Sequence, residues 1–268
     1  MEKPLTDFEK QKLLAALYLH KVYAPGLDLL AFRVVESISA PAERESAWLT
    51  LSYYLAAFSN FGLAEEVASQ YLRGYAKASG LAAIGCELAK DDPARAVAYL
   101  QAVEPLLTGV VESDERAILL RQISKGYSQA RSWQRAKELA DLISPTEDRV
   151  SSLCEIAGSL WRANELEAAK QMLAEARELA NQTPASERTS ALSDVARVYL
   201  EMNQIADATE ILGTAAAFAD KSLESSKWLF SICQRLVSVG RSQQAREVAL
   251  QIKNQTLQRE ALSLIGET

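Results

Sequence analysis

EDRVSSLCEIAGSLWRANELEAAKQMLAEARELANQ, residues 147–182, is the stretch from which the fold is read. Leu153, Ile156, Ala157 and Leu160 fall at helical spacing, and Ala169, Met172, Leu173 and Ala176 repeat that spacing after a short break. Each set is an apolar stripe along one face of an amphipathic helix. Asn164 stands between the stripes. Asparagine accepts the left-handed conformation that often ends a helix, so the two helices are expected to fold back on each other. Neither helix buries its stripe alone, and a series of such hairpins shares one continuous core.

The same unit recurs from end to end. A second-helix alanine anchors each copy: Ala31, Ala64, Ala96, Ala136, Ala169, Ala208 and Ala245, separated on subtraction by 33, 32, 40, 33, 39 and 37 residues. Thirteen residues before six of these stand Tyr18, Leu51, Ile123, Ile156, Val195 and Ile232, and the third copy has Ile84 at twelve, as if its turn were one residue short. Five residues before the anchor stand Gly26, Asn164, Asn203 and Gly240, residue types suited to positive φ. Three features in one register make seven repeats, at about 7–41, 44–74, 77–104, 116–145, 148–181, 188–219 and 224–254, with a terminal helix at 255–268. Local signals agree with these bounds. Thr6 and Glu9 have capping-box spacing, Asp92-Pro93 reads as an N-cap followed by proline, Pro41 closes the first hairpin, and Pro105 interrupts a segment, 105–114, that belongs to no repeat.

Composition bounds the function. The 268 residues are 49% hydrophobic and 24% charged, which is ordinary for a folding chain. A net charge of -6 and a pI near 5.1 argue against nucleic-acid phosphates as the target. The apolar run LLAALYL, 13–19, is too short to span a bilayer, so no membrane insertion is expected. Cys86, Cys154 and Cys233 lie far apart inside helical patterns. They read as reduced thiols packed like small hydrophobes, and the protein as cytoplasmic.

Small residues at the eighth place of each unit, an apolar or aromatic residue at the eleventh and alanine at the twentieth resemble the tetratricopeptide repeat. Residues 150–181 carry the resemblance best, with Leu153, Ile156, Ala157, Leu160, Ala169, Leu173 and Ala176 at places four, seven, eight, eleven, twenty, twenty-four and twenty-seven. The array departs from the family in keeping the fourth-place tryptophan only as Trp48 and the eleventh-place tyrosine only as Tyr127 and Tyr199. Several units also exceed the family's roughly 34 residues. The resemblance implies an all-α chain: a single domain, 1–268, forming a right-handed α-solenoid of about seven divergent TPR-like repeats with a C-terminal capping helix.

No nucleophile–base pair, carboxylate dyad, metal-ligand cluster or glycine-rich phosphate loop is legible, so no catalytic residue, metal or cofactor is assigned. His20 reads as a partly exposed residue of the first helix. The functional expectation is a protein-binding adaptor or assembly factor. In the resembled family, places two, five, nine, twelve and thirteen of the first helices line a concave groove. Carried over, they are Tyr23, Leu49 and Tyr53 near the N-terminus, Lys90, Arg121, Lys125, Trp161, Arg162 and Arg197 in the middle, and Lys227, Phe230 and Gln234 beyond. Such a groove suits an acidic, partly hydrophobic partner segment, although the same positions are also those of an ordinary solvated helix face.

Ninth places reading His20, Tyr53, Cys86, Lys125, Gly158, Arg197 and Gln234 include no asparagine, which removes the chaperone-tail clamp of some family members. Homo-oligomerisation through the apolar terminal helices, 8–24 and 255–268, is the alternative. A further regularity is Arg44, Arg116, Arg149 and Arg188, with Lys77, each seven residues before the key apolar position; all four arginines follow an acid. The acids suit helix N-termini, and the arginines are expected to bridge to the preceding hairpin rather than bind a ligand.

Overall fold

A computed structural model describes residues 5–19, 26–218 and 223–266. His20, Val22, Tyr23, Ala24 and Pro25 lie outside the described residues, as does the side chain of Tyr18. The chain is all-α and divides into two compact units, Met1–Leu139 and Ala140–Thr268. Unit 1 holds α1 (Asp7–Leu19), α2 (Leu27–Glu36), α3 (Pro41–Ala57), α4 (Phe61–Tyr71), α5 (Gly74–Leu88), α6 (Pro93–Val103), a 3-10 segment (Glu104–Gly109), α7 (Ser113–Gln129) and α8 (Trp133–Ala140) up to its last residue. Unit 2 continues with α9 (Thr146–Arg162), α10 (Leu166–Gln182), α11 (Ala185–Glu201), α12 (Ile205–Phe218), α13 (Leu223–Ser238), α14 (Ser242–Ala249) and α15 (Gln255–Leu264). Within each unit the helix contacts among the described residues run mainly between a helix and the next, and between successive first helices such as α3, α5 and α7 or α9, α11 and α13. The terminal α15 covers α13 and α14, with Ala261 as its buried contact.

The register places the core. All seven anchor alanines are fully buried, as are Leu51, Ile84, Ile123, Ile156, Val195 and Ile232. Small residues at place eight let the paired helices close. A Cβ on Gly85 would stand 2.5 Å from Leu100 Cδ2 of the facing α6. Two polar residues at place eight bond the carbonyl of their own anchor, Ser124 Oγ donating to Ala136 O at 2.8 Å and Cys233 Sγ to Ala245 O at 3.3 Å, whereas Ser52 Oγ donates within α3 to Leu49 O at 2.8 Å.

Gly26, Asn164, Asn203 and Gly240 all adopt positive φ, and so do Ser59 and Arg131 at the same register position. The third repeat has no such residue. Its α5 ends two residues earlier in register and its turn is one residue longer than the others, so the deletion falls in the helix rather than in the turn.

Capping follows the local signals. Thr6 and Glu9 exchange hydrogen bonds at 2.8 and 3.3 Å, and Asp92 accepts from Arg95 N at 3.0 Å. Pro41 is a correction: α2 has already ended at Glu36, and Pro41 opens α3, where its missing N–H costs nothing.

The 105–114 interruption is largely the 3-10 segment, pinned at both ends. Glu104 accepts from Tyr127 and Arg135, while Leu107 is buried with its carbonyl 2.7 Å from Arg116 Nη1. Burial pushes the Glu104 carboxyl up, but Arg135 and Tyr127 outweigh it and hold it below the usual range.

The register arginines bridge backward. Arg149 donates to Ile143 O at 3.2 and 3.0 Å, and Arg188 to Thr183 O at 3.2 and 2.8 Å while lying 4.5 Å above the Phe218 ring. With Arg116 on Leu107, each donates to a carbonyl of the stretch that follows the preceding second helix, where helix-end carbonyls lack intrahelical partners. Among the described residues no helix is long and apolar enough to cross a membrane.

Candidate functional site

The predicted partner-binding residues among those described lie on first helices, except Lys90 in the turn after α5, and each unit presents them differently. In unit 1 Arg121 is half-buried and Lys125 exposed on α7, and Leu49 and Tyr53 are half-buried on α3. Lys90 is exposed and paired with Glu87.

Tyr53 is not a free aromatic. Its hydroxyl meets Ser79 Oγ at 2.7 Å, Ser79 Oγ donates to Gln122 Oε1 at 2.8 Å, and Gln122 Nε2 returns a bond to Ser79 O at 3.1 Å. Cys86 Sγ adds a contact to Gln122 O at 3.2 Å. Three successive first helices, α3, α5 and α7, are thus joined by a row of neutral polar groups. Burial pushes the Tyr53 phenol above its ordinary value.

In unit 2 the row is charged. Arg162 Nη1 stands 3.2 Å from Glu201 Oε2, and Arg197 Nη1 donates to Glu201 Oε1 at 2.7 Å with Asp194 Oδ1 at 4.0 Å from its Nε. Arg162 and Arg197, expected to face a partner, share one carboxylate, and a second lies close by. Gly158 leaves the room for this, since a Cβ there would meet Arg162 Nη1 at 3.2 Å and Glu201 Oε2 at 3.4 Å.

Next along, Arg235 Nη1 donates to Ser193 O at 2.6 Å, tying α13 to α11, and burial pulls its guanidinium below the ordinary value. Places five and nine of α9, Cys154 and Gly158, are buried, while half-buried Trp161 and exposed Arg162 keep solvent-facing area. Phe230 is half-buried, and Gln234 and Lys227 are exposed, on α13. Burial pushes up the thiols of Cys154 and Cys233, the latter to about 12.

A second feature, absent from the sequence reading, is an open cleft of about 520 Å³ in unit 1, lined by Glu36, Pro41, Arg44, Glu45, Trp48, Gln70, Tyr71 and Arg73. Its floor is aromatic. Trp48, only 4% exposed, stacks on Tyr71 with centroids 4.1 Å apart, and Phe32 meets both rings edge-on at 5.1 and 6.3 Å. Tyr71 keeps 37% of its surface exposed. Trp48 was legible as a family position and Arg44 as a register arginine, but their meeting with Tyr71 and Arg73 needed the packing of α3 on α4. Glu201 carried a weak signal, four residues after Arg197, the helical ion-pair spacing.

No protein-family model matches the chain, and no curated protein matches it. Among solved structures, the crystal structure of Ton1535 from Thermococcus onnurineus NA1 is similar over 97% of this chain and 90% of that one, at 14% identity and a TM-score of 0.31. Similarity at that level carries no argument about fold or function here.

Proposed function

We propose that the chain is a non-catalytic adaptor or assembly factor, a right-handed TPR-like α-solenoid that holds an acidic, partly hydrophobic segment of a partner protein against its first helices. The architectural part is supported by neighbour-only helix packing within each unit and by positive φ at one register position in six of the seven repeats.

The binding part is carried by one observation: Trp161 is half-buried at the end of α9, beside exposed Arg162 and its ion pair with Glu201. A tryptophan with solvent-facing area next to arginine is the composition of an interface anchor. An exposed arginine–carboxylate pair contributes only about 0.2–1 kcal/mol, so a partner carboxylate can replace Glu201 at little cost while the indole supplies affinity. Unit 1, taken by itself, presents half-buried Arg121 and exposed Lys125 on α7.

The test is affinity capture from native lysate, read by mass spectrometry, with wild type, Trp161→Ala and Arg121→Glu/Lys125→Glu/Arg197→Glu, each first checked for helicity. A partner kept by wild type and lost by both variants is expected; the same partner on all three would remove the reading.

A second reading, homo-oligomerisation through terminal helices, is favoured by exposed Phe8 on α1 and Leu264 on α15. Sedimentation across a concentration series decides it, a monomer throughout being fatal.

A further inference from the structure

Four arginines occupy one register position, and three of them spend their guanidinium on a carbonyl at the end of the preceding helix or segment. Arg44 is the exception. Among the described residues its side chain has no hydrogen-bond or ion-pair partner, and it lines the cleft instead.

The first hairpin explains the difference. Lys10 of α1 donates to Ser37 O at the end of α2, and the Asp7 carboxylate accepts from Ser39 Oγ at 2.7 Å, Ser39 N at 3.1 Å and Ala40 N at 3.2 Å. Those bonds hold the Asp7 carboxyl well below the usual range, that of Ser39 Oγ first. The junction between α2 and α3 is therefore closed by α1, and Arg44 is released from the work its counterparts do.

What surrounds Arg44 has the chemistry of a recognition site. Tyr71 presents a ring backed by Trp48, and Arg73 directs Nη1 to Gln70 O at 3.2 Å and Leu72 O at 2.8 Å, which holds its charge at the cleft. Glu45 is engaged, accepting from Arg73 N at 3.2 Å. Glu36 and Glu45 balance Arg44 and Arg73 in the lining and penalise a run of acids, so the complement is the one carboxylate that Arg44 can take.

The volume falls in the range of ligand pockets, roughly 300–1,000 Å³, but the cleft is open rather than enclosed. A small molecule would be left partly in water there, whereas a chain running across it is held at one point. We infer that this cleft binds a segment of a partner protein in which one acidic residue adjoins an aromatic or branched apolar residue, the carboxylate on Arg44 and the apolar side chain on Tyr71. The inference takes from the adaptor reading only the class of occupant, a protein segment; the site is separate from Arg121, Lys125 and Trp161.

The test uses the full chain, 15N-labelled, with the Trp48 indole N–H as reporter, assigned by Trp48→Phe. The probes are acetylated, amidated hexapeptides of glycine and serine around a central glutamate–phenylalanine, glutamine–phenylalanine or lysine–phenylalanine pair. The glutamate peptide is expected to shift the indole signal saturably. Binding should weaken about tenfold for the glutamine peptide and for Arg44→Gln, the scale of one charge-assisted hydrogen bond, and should disappear in Tyr71→Ala.

Equal or tighter binding of the lysine peptide would overturn the inference in favour of a cation site on Glu36. Binding of free 3-phenylpropionate as tight as the peptide would overturn it in favour of a small-molecule site. Unchanged binding in Arg44→Gln, with loss in Arg121→Glu/Lys125→Glu, would remove the cleft and leave the adaptor reading standing. The reverse pattern supports the cleft by itself.

Discussion

In unit 1 the first helices α3, α5 and α7 are joined through Tyr53, Ser79 and Gln122, whereas in unit 2 α9 and α11 are joined through Arg162, Glu201 and Arg197. Tyr53 and Arg197 occupy the same ninth place of their repeats. Tyr53 reaches across to α5, whereas Arg197 pairs within α11 and the contact between α9 and α11 is made by Arg162, so one register place serves different contacts in the two units. A half-buried neutral row exchanges few bonds with water and is indifferent to salt. An exposed charged row is screened, over a length of about 8 Å at physiological ionic strength, and its members can change partners.

The largest effect should come from the packing both rows depend on. Ala169→Leu puts a large side chain at a fully buried anchor and should cost about 1–3 kcal/mol, seen as a lower Tm and faster thiol labelling of buried Cys154. An unchanged Tm would mean that the anchor does not set the approach of α9 and α10.

Next comes Tyr53→Phe, which leaves Ser79 and Gln122 bonded to each other but removes the link to α3. A loss of about 0.5–1.5 kcal/mol, equal in low and high salt, is expected in urea unfolding. A loss that shrank with salt would show the two rows to be less different than their chemistry implies.

Glu201→Gln should cost less, about 0–1 kcal/mol at low salt and nothing measurable at high salt. It should nevertheless tighten capture of an acidic partner, because Arg162 and Arg197 lose their shared anion. Weaker capture would mean that Glu201 itself faces the partner.

The turns extend the comparison. Those of unit 2 use Asn164, Asn203 and Gly240 for positive φ, while unit 1 uses Gly26, Ser59 and Arg131. Serine and arginine carry a Cβ that the left-handed region disfavours. Arg131→Gly should therefore stabilise by up to about 1 kcal/mol, part of the gain being offset by glycine's greater unfolded entropy. Asn164→Gly, where the residue already suits the turn, should change stability by less, and both are read from denaturant midpoints.

Much of the fold was legible because burial repeats. The seven alanines, the six described apolar partners and the four glycine or asparagine turns could be aligned by subtraction, and all lie where the register places them. Ser59 and Arg131 gave no such signal. Their conformation is imposed by the helices on either side, and neither residue type advertises it.

The site was less legible. Place nine was read as a solvent-facing position, but Cys154 and Gly158 show that the next first helix covers places five and nine of α9. Ser79 and Gln122 drew no attention, since a serine and a glutamine 43 residues apart have no spacing to recognise.

From the sequence alone came the all-helical class, the buried anchor positions and the backward-bridging role of Arg116, Arg149 and Arg188. These follow from local periodicity and from the unsatisfied carbonyls at every helix end, which each repeat carries within itself. Tertiary structure decided which charges are compensated, which polar groups join neighbouring helices, and that Arg44 turns to a stacked aromatic cleft. Each of those depends on a side chain from another helix arriving within hydrogen-bond or stacking distance, and that distance is set by how closely the hairpins pack.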